Sequence, residues 1–220
     1  MREELKLAIM GPPSPDPLFQ SGTGSLKKID GEYPVGRILR IARNNGIEKI
    51  ICILNSGQTE LRDFLMSRDY SDSVKLLIQD SVNSLQSFLA LVPFLKESLF
   101  CLTTSDSVFR EDDFSEFLNY SVISRDLDGT VAIRARSEGD ENSLSVAMDD
   151  DNRIIRFSDL KEGYNWVSAG IAFFTPGMLA DLSLPRSAEA GSFRNYLRTL
   201  LKKGYILKGF SVSNVTGSGG

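Results

Sequence analysis

The chain has 220 residues, 41% hydrophobic and 25% charged, the balance of one ordinary globular domain rather than of a fibrous or disordered chain. Its net charge of -4 argues against a phosphate-tracking nucleic-acid surface, and no apolar run approaches the roughly 20 residues that span a bilayer. Neither nucleic acid nor membrane is expected as a partner, and a cytoplasmic location follows as the default. Histidine is absent, which excludes Ser-His-Asp and Cys-His nucleophiles, His-ligated zinc or iron and a histidine general base. Any chemistry must rest on carboxylates, Lys, Arg, hydroxyls, backbone amides or a hard metal.

Leu5 to Met10 reads as a short buried strand that runs into Gly11-Pro12-Pro13-Ser14-Pro15-Asp16-Pro17, a stretch no helix or central strand accommodates. Pro34 suits a helix start, and Val35, Ile38, Leu39 and Ala42 repeat at helical spacing until Asn45-Gly46. Glu48 to Leu54 is a continuous isoleucine-rich run of the kind a strand covered on both faces requires. Leu61, Phe64 and Leu65 mark a second helix, Val74 to Gln79 a strand, and Leu85, Phe88, Leu89 and Val92 a helix expected to break at Pro93. Leu99 to Thr104 is the next buried strand, with Phe114, Phe117 and Leu118 on a helix behind it. Alternating strands and helices predict an α/β fold with a mostly parallel sheet flanked by helices.

The second half carries an antiparallel excursion. Thr130 to Arg136 and Leu144 to Met148 read as strands, and Asp149-Asp150-Asp151-Asn152 turns the latter into Arg153 to Phe157. Val167 to Phe174 is a further strand, Phe193, Tyr196, Leu197 and Leu200 a last helix, and Tyr205 to Val212 a last strand. The expected organisation is a single domain over residues 1–216 with a flexible tail at 217–220. Cys52 and Cys101 lie inside apolar runs and read as buried strand thiols.

In open α/β sheets ligands bind beyond the carboxyl ends of the strands, so the residues after each strand are the candidates. These are Gly11 onwards, Asn55-Ser56-Gly57, Gln79-Asp80 and Thr103-Thr104-Ser105-Asp106. Asp106 stands out as a carboxylate at the tip of a strongly apolar strand, where one Asp can anchor Mg²⁺ together with phosphate oxygens.

Several strings, in order and spacing, resemble the sugar-phosphate nucleotidyltransferases. Ile29-Asp30-Gly31-Glu32-Tyr33-Pro34-Val35-Gly36-Arg37-Ile38-Leu39 is similar to that family's I-x-G-K-P-L-I-x-x-I-L, and Asn45-Gly46-Ile47-Glu48-Lys49-Ile50-Ile51 to its x-G-I-x-x-I-I. Thr104-Ser105-Asp106-Ser107-Val108-Phe109 resembles G-D-N-x-F, and Val167-Ser168-Ala169-Gly170-Ile171 resembles A-x-A-G-I-Y. The resemblance implies a Rossmann-like, GT-A-type sheet, a nucleoside triphosphate and a phosphorylated sugar or small alcohol as partners, and in-line attack with release of pyrophosphate. It also implies Mg²⁺ on Asp106 and Thr216, a nucleotide near Gly11, Gln79, Ser84 and Leu85, and a sugar phosphate near Asp159, Lys161 and Gly170. A homo-oligomer is compatible with it.

Three strings depart from that pattern. Prolines after Gly11 remove amide donors where a G-G-x-G-x-R-L loop would cradle phosphates, which leaves Lys27 and Lys28 as the nearby cations for that task. Ser158-Asp159-Leu160-Lys161 stands for an E-K-P string, with Asp159 expected on a solvated hairpin end. Asn214-Val215-Thr216 stands for D-V-D, so a hydroxyl replaces the second charged ligand and leaves Asp106 as the clear protein carboxylate for a metal. Two readings follow: an enzyme using these residues, or a catalytically weakened relative that binds nucleotide or assembles with a partner. The Asp149–Asp151 cluster, which lacks the Gly and Glu of a calcium loop, is expected to be a solvated turn.

Overall fold

In the computed structural model, which describes residues 4–11, 28–29, 31–67, 70–124, 126–180 and 191–213, the apolar runs are strands and the amphipathic ones helices. The first half alternates β1 (Leu5–Met10), α1 (Pro34–Asn44), β2 (Lys49–Leu54), α2 (Thr59–Leu65), β3 (Val74–Ile78), α3 (Ser84–Leu95), β4 (Leu99–Thr104) and α4 (Glu111–Ile123). The second half holds β5 (Gly129–Ala135), β6 (Ser145–Met148), β7 (Ile154–Ser158), β8 (Trp166–Phe174), a 3-10 turn at Pro176–Leu179, α5 (Phe193–Lys202) and β9 (Leu207–Ser211).

Local chemistry explains the helix ends. Pro34 opens α1 with its φ already helical and its missing N–H costing nothing there, while Gly46, at φ 75°, turns the chain out of it. The Asn83 side chain caps α3 by accepting from Gln86 N, and Ser192 does the same for α5 through Asn195 N. Pro93 does not break α3, contrary to the sequence expectation; the helix continues to Leu95. Pro93 falls in the final turn and is exposed, as is Leu89, so the missing hydrogen bond lies on the solvent side where few later turns depend on it.

The strands form one sheet in the order β3-β2-β1-β4-β8-β5-β9, with the β6–β7 hairpin attached to β8. Every strand of that path runs parallel except β8, which is antiparallel to both β4 and β5. Alternate residues of each inner strand enter opposite cores: Leu7, Ile9, Ile50, Cys52 and Cys101 pack under α1, α2 and α4. Ala8, Met10, Ile51, Ile53 and Phe100 pack instead under α3, α5 and the hairpin. Such two-sided burial requires the unbroken apolar runs seen in the sequence. Cys52 and Cys101 are unpaired and fully buried, and burial pushes both thiols up to about 12, which removes them as nucleophiles.

The hairpin turn is the solvated turn expected. Asp149 Oδ1 accepts from Asp151 N at 3.0 Å and Arg153 N at 2.8 Å, and Asn152 takes the left-handed conformation at φ 60°. The hairpin spans from the start of β8, where Ser145 opposes Val167, to β9, where Gly209 N donates to Asn152 O at 2.9 Å.

Candidate functional site

The chain winds from β1 outward to β2 and β3, then returns to place β4 on the other side of β1. That reversal of winding falls between β1 and β4, and the carboxyl ends of strands at such a point are where open α/β sheets receive ligands. On the β1 side Gly11 N donates to Ile53 O at 2.8 Å, and a Cβ at Gly11 would lie 2.7 Å from Gln58 Oε1 and 2.9 Å from Leu54 Cδ2. A larger residue here would have to push the Gln58 and Leu54 side-chain ends aside.

The next two strand ends are tied to one another. Gln58 Oε1 accepts from Asn55 N at 2.9 Å, Asn55 Oδ1 accepts from the buried Ser81 N at 2.9 Å, and Gln79 N donates to Leu54 O at 2.9 Å. Asp80 accepts from both Ser56 N and Ser56 Oγ, and the backbone amide, followed by the hydroxyl, lowers its pKa. Gln79 therefore leads out of a fixed corner at the carboxyl ends of β2 and β3.

Beyond β4, Ser105 is fully buried and its N donates to Met10 O at 2.9 Å, which docks the following turn against β1. Asp106 is exposed at the tip of that turn. Its Oδ1 accepts from Thr104 Oγ1 at 2.6 Å; the Thr104 hydroxyl meets Ser107 Oγ at 2.9 Å, and Ser107 Oγ lies within donating distance of Gly170 O at 3.1 Å. Thr103 Oγ1 donates to the same carbonyl at 2.8 Å.

Gly170 reaches this cluster because β8 is bulged. Val131 opposes Ala172 and Ile133 opposes Ser168, so Ala132 of β5 faces three residues of β8. Gly170 takes φ 82°, and a Cβ there would meet Ser107 Oγ at 2.7 Å. The structure thus brings together Asp106 and Gly170, which are far apart in sequence.

The other candidates are placed differently. Leu85 is buried in the core, and Ser84 Oγ accepts from Phe193 N at 2.9 Å, so this pair also docks α3 against the start of α5. Asp159 is not simply solvated, as the sequence suggested: Arg194 Nη1 reaches it at 3.0 Å and Arg198 Nη2 also contacts it. Burial works to raise the Asp159 pKa, but Arg198 and then Arg194 outweigh it and hold the group ionised at lower pH. Lys161 is exposed nearby in sequence, and Lys28 lies over the Tyr33 ring at 5.0 Å from its centroid. Lys27 and Thr216 lie outside the described residues.

Sequence reasoning missed one polar cluster. Arg134 forks onto Asp140, with Nη1 at 2.7 Å from Oδ2, and Asp140 also accepts from Ser137 N and Ser143 Oγ. The Arg134 guanidinium, aided by Ser137 and Ser143, holds this carboxyl well below the usual range against the opposing effect of burial. Arg136 donates to Tyr164 O, Asp140 O and Ser145 Oγ, which fixes the loop between β5 and β6 beside the hairpin base. The alternation of Arg134 and Arg136 on one strand face, followed by Ser137 and Asp140, was the available signal.

A hard divalent cation fits Asp106 better than the other two carboxylates, because it is exposed and one hydroxyl orients it while Asp140 and Asp159 are committed to arginines. No group of three or more Asp, Glu, Cys or His side chains suited to a metal occurs among the described residues. Substrate phosphate oxygens and water would supply the remaining ligands.

The strand order and the reversed β8 define a Rossmann-like, mostly parallel α/β sheet with helices on both faces. Residues 32–210 match the family model described as nucleotidyl transferase, and the chain belongs to that family. The inositol-1-phosphate CTP transferase from T. maritima shares the fold with a TM-score of 0.77 at 20% identity, covering 96% of this chain and 87% of that one. A glucose-1-phosphate thymidylyltransferase from Bacillus anthracis, so described and solved with a sucrose, aligns with a TM-score of 0.79 at 16% identity, covering 95% and 87%. No curated protein matches the chain in sequence.

Proposed function

We propose that this nucleotidyl transferase moves a nucleoside monophosphate from a nucleoside triphosphate onto a sugar 1-phosphate or similarly phosphorylated small alcohol, with release of pyrophosphate. The observation that carries this reading is Asp106: an exposed carboxylate, oriented by Thr104, just beyond the carboxyl end of β4 where the sheet reverses its winding. The similar folds described as an inositol-1-phosphate CTP transferase and a glucose-1-phosphate thymidylyltransferase both pair a nucleotide with a phosphorylated polyol or sugar.

On this reading a phosphate oxygen of the acceptor attacks the α-phosphorus in line, the bond to the bridging oxygen breaks, and pyrophosphate departs. Mg²⁺ held by Asp106, with Thr216 beside it, would neutralise the charge that develops on the phosphates. The remaining work is positioning. The base lies toward Gln79, Ser84 and Leu85, the triphosphate toward Gly11, Lys27 and Lys28, and the acceptor toward Gly170, Asp159 and Lys161. A phosphorylated acceptor suits that last group because two guanidinium groups, those of Arg194 and Arg198, gather at the single Asp159 carboxylate.

Pyrophosphate release from a panel of nucleoside triphosphates and sugar or polyol phosphates with Mg²⁺ tests the proposal. One pair should turn over, and Asp106→Ala should lower its kcat/KM by about 10³-fold, the equivalent of roughly 4 kcal/mol of transition-state stabilisation. Nucleotide binding by calorimetry with no turnover of any pair would replace the enzyme by a binding protein. Turnover unaffected by Asp106→Ala would remove the proposed centre.

A further inference from the structure

Thr104, Ser107 and Gly170 form a chain of hydroxyls and a carbonyl that links the Asp106 carboxylate to the bulge of β8. Proton counting makes this chain informative. A carboxylate only accepts, so the 2.6 Å contact places the single Thr104 hydroxyl proton on the Asp106 side. Thr104 Oγ1 can then enter the 2.9 Å contact with Ser107 only as the acceptor. Ser107 has one proton and two acceptors, Thr104 Oγ1 and Gly170 O, and it cannot serve both.

Gly170 O does not depend on Ser107, because Thr103 Oγ1 already donates to it at 2.8 Å. When Ser107 points to Thr104, the run Ser107 to Thr104 to Asp106 is head-to-tail, and each bond polarises the next toward the carboxylate. When Ser107 points to Gly170, that support is withdrawn. The bulge keeps both acceptors in reach, since a Cβ at Gly170 would lie 2.7 Å from Ser107 Oγ and displace it.

We propose that Thr104 and Ser107 are positioning residues that aim the Asp106 carboxylate, and that the Ser107 hydroxyl couples the acceptor side of the cleft at Gly170 to the cation held on Asp106. An acceptor that takes up the Gly170 carbonyl, or shifts it, returns the Ser107 proton to Thr104 and tightens the carboxylate's hold. This deepens the functional reading above and rests on it.

Mn²⁺ is the probe, titrated into the full chain with an unreactive α,β-methylene nucleoside triphosphate, free Mn²⁺ being read by EPR and the Mn²⁺ taken by the same nucleotide without protein being subtracted, so that binding means binding to the chain. The titration is repeated with a saturating sugar 1-phosphate. Thr104→Val, which keeps the shape and loses the donor, should weaken Mn²⁺ binding about tenfold, and Thr104→Ser should restore it to within about twofold. Ser107→Ala should weaken it about threefold and abolish the gain in Mn²⁺ affinity that the sugar phosphate gives the unaltered chain. Circular dichroism melting of each variant separates these effects from loss of fold.

Thr104→Val and Ser107→Ala binding Mn²⁺ like the unaltered chain, while Asp106→Ala does not bind it, would overturn the relay and leave the functional reading standing. Mn²⁺ binding that survives Asp106→Ala would overturn both.

Discussion

Asp106 and Asp140 stand just beyond the carboxyl ends of β4 and β5, with only β8 between those strands, yet the chain treats them in opposite ways. Asp140 is 6% exposed and saturated by Arg134, Ser137 and Ser143. Asp106 is exposed and receives one hydroxyl. A carboxylate whose lone pairs are filled by its own protein holds structure together, whereas one that is oriented but unfilled is available to a ligand. The difference separates scaffold from site more sharply than charge or position along the sheet.

The sharpest way to break this contrast is to remove the scaffold carboxylate. Asp140→Asn leaves the Arg134 guanidinium without its ion pair and should cost about 3 kcal/mol in urea unfolding, while Asp106→Asn should change stability by less than about 0.5 kcal/mol. The same pair distinguishes itself by pH. The folded-state pKa of Asp140 lies below its unfolded value of about 3.9, so its stabilisation is complete above that pH and is lost as pH falls below it. Asp140→Asn should flatten the acid limb of the stability profile.

A smaller effect is expected at the link between the two regions. Gly170→Ala forces a Cβ into φ 82° and against Ser107 Oγ, which should cost about 1–2 kcal/mol in the same unfolding assay. Adding Ser107→Ala should recover part of that loss by opening space, leaving the backbone strain.

The smallest effect should come from Asp159, which resembles Asp140 in having arginine partners but is 56% exposed. Asp159→Asn should lower stability by no more than about 1 kcal/mol, and the loss should shrink further in high salt. A loss as large as that of Asp140→Asn would mean that exposure does not separate the two ion pairs.

Much of the fold was legible because inner strands of this sheet are covered on both faces. Leu5–Met10 and Leu99–Thr104 are strands with the bounds the sequence suggested, since unbroken apolar runs have no other use at that length. The place of Asp106 was legible for a related reason, as a carboxylate two residues beyond the end of such a strand. Pro93 misled because the rule against proline holds for helix interiors and loses force in an exposed last turn. The arginine clamp on Asp159 was invisible: no local pattern announces that Arg194 and Arg198 of α5 will reach a hairpin end more than thirty residues earlier. Pairings of that kind are made by tertiary packing and are written nowhere in the local sequence.

The hairpin turn on β9 has one more consequence. By taking the Gly209 N–H with the Asn152 carbonyl, it occupies a donor on the outer rim of the sheet that another chain's backbone would otherwise claim. At the opposite rim, no strand among the described residues pairs with the outer side of β3. A strand adding along β9 would have to displace the hairpin turn at Gly209 before it could pair there.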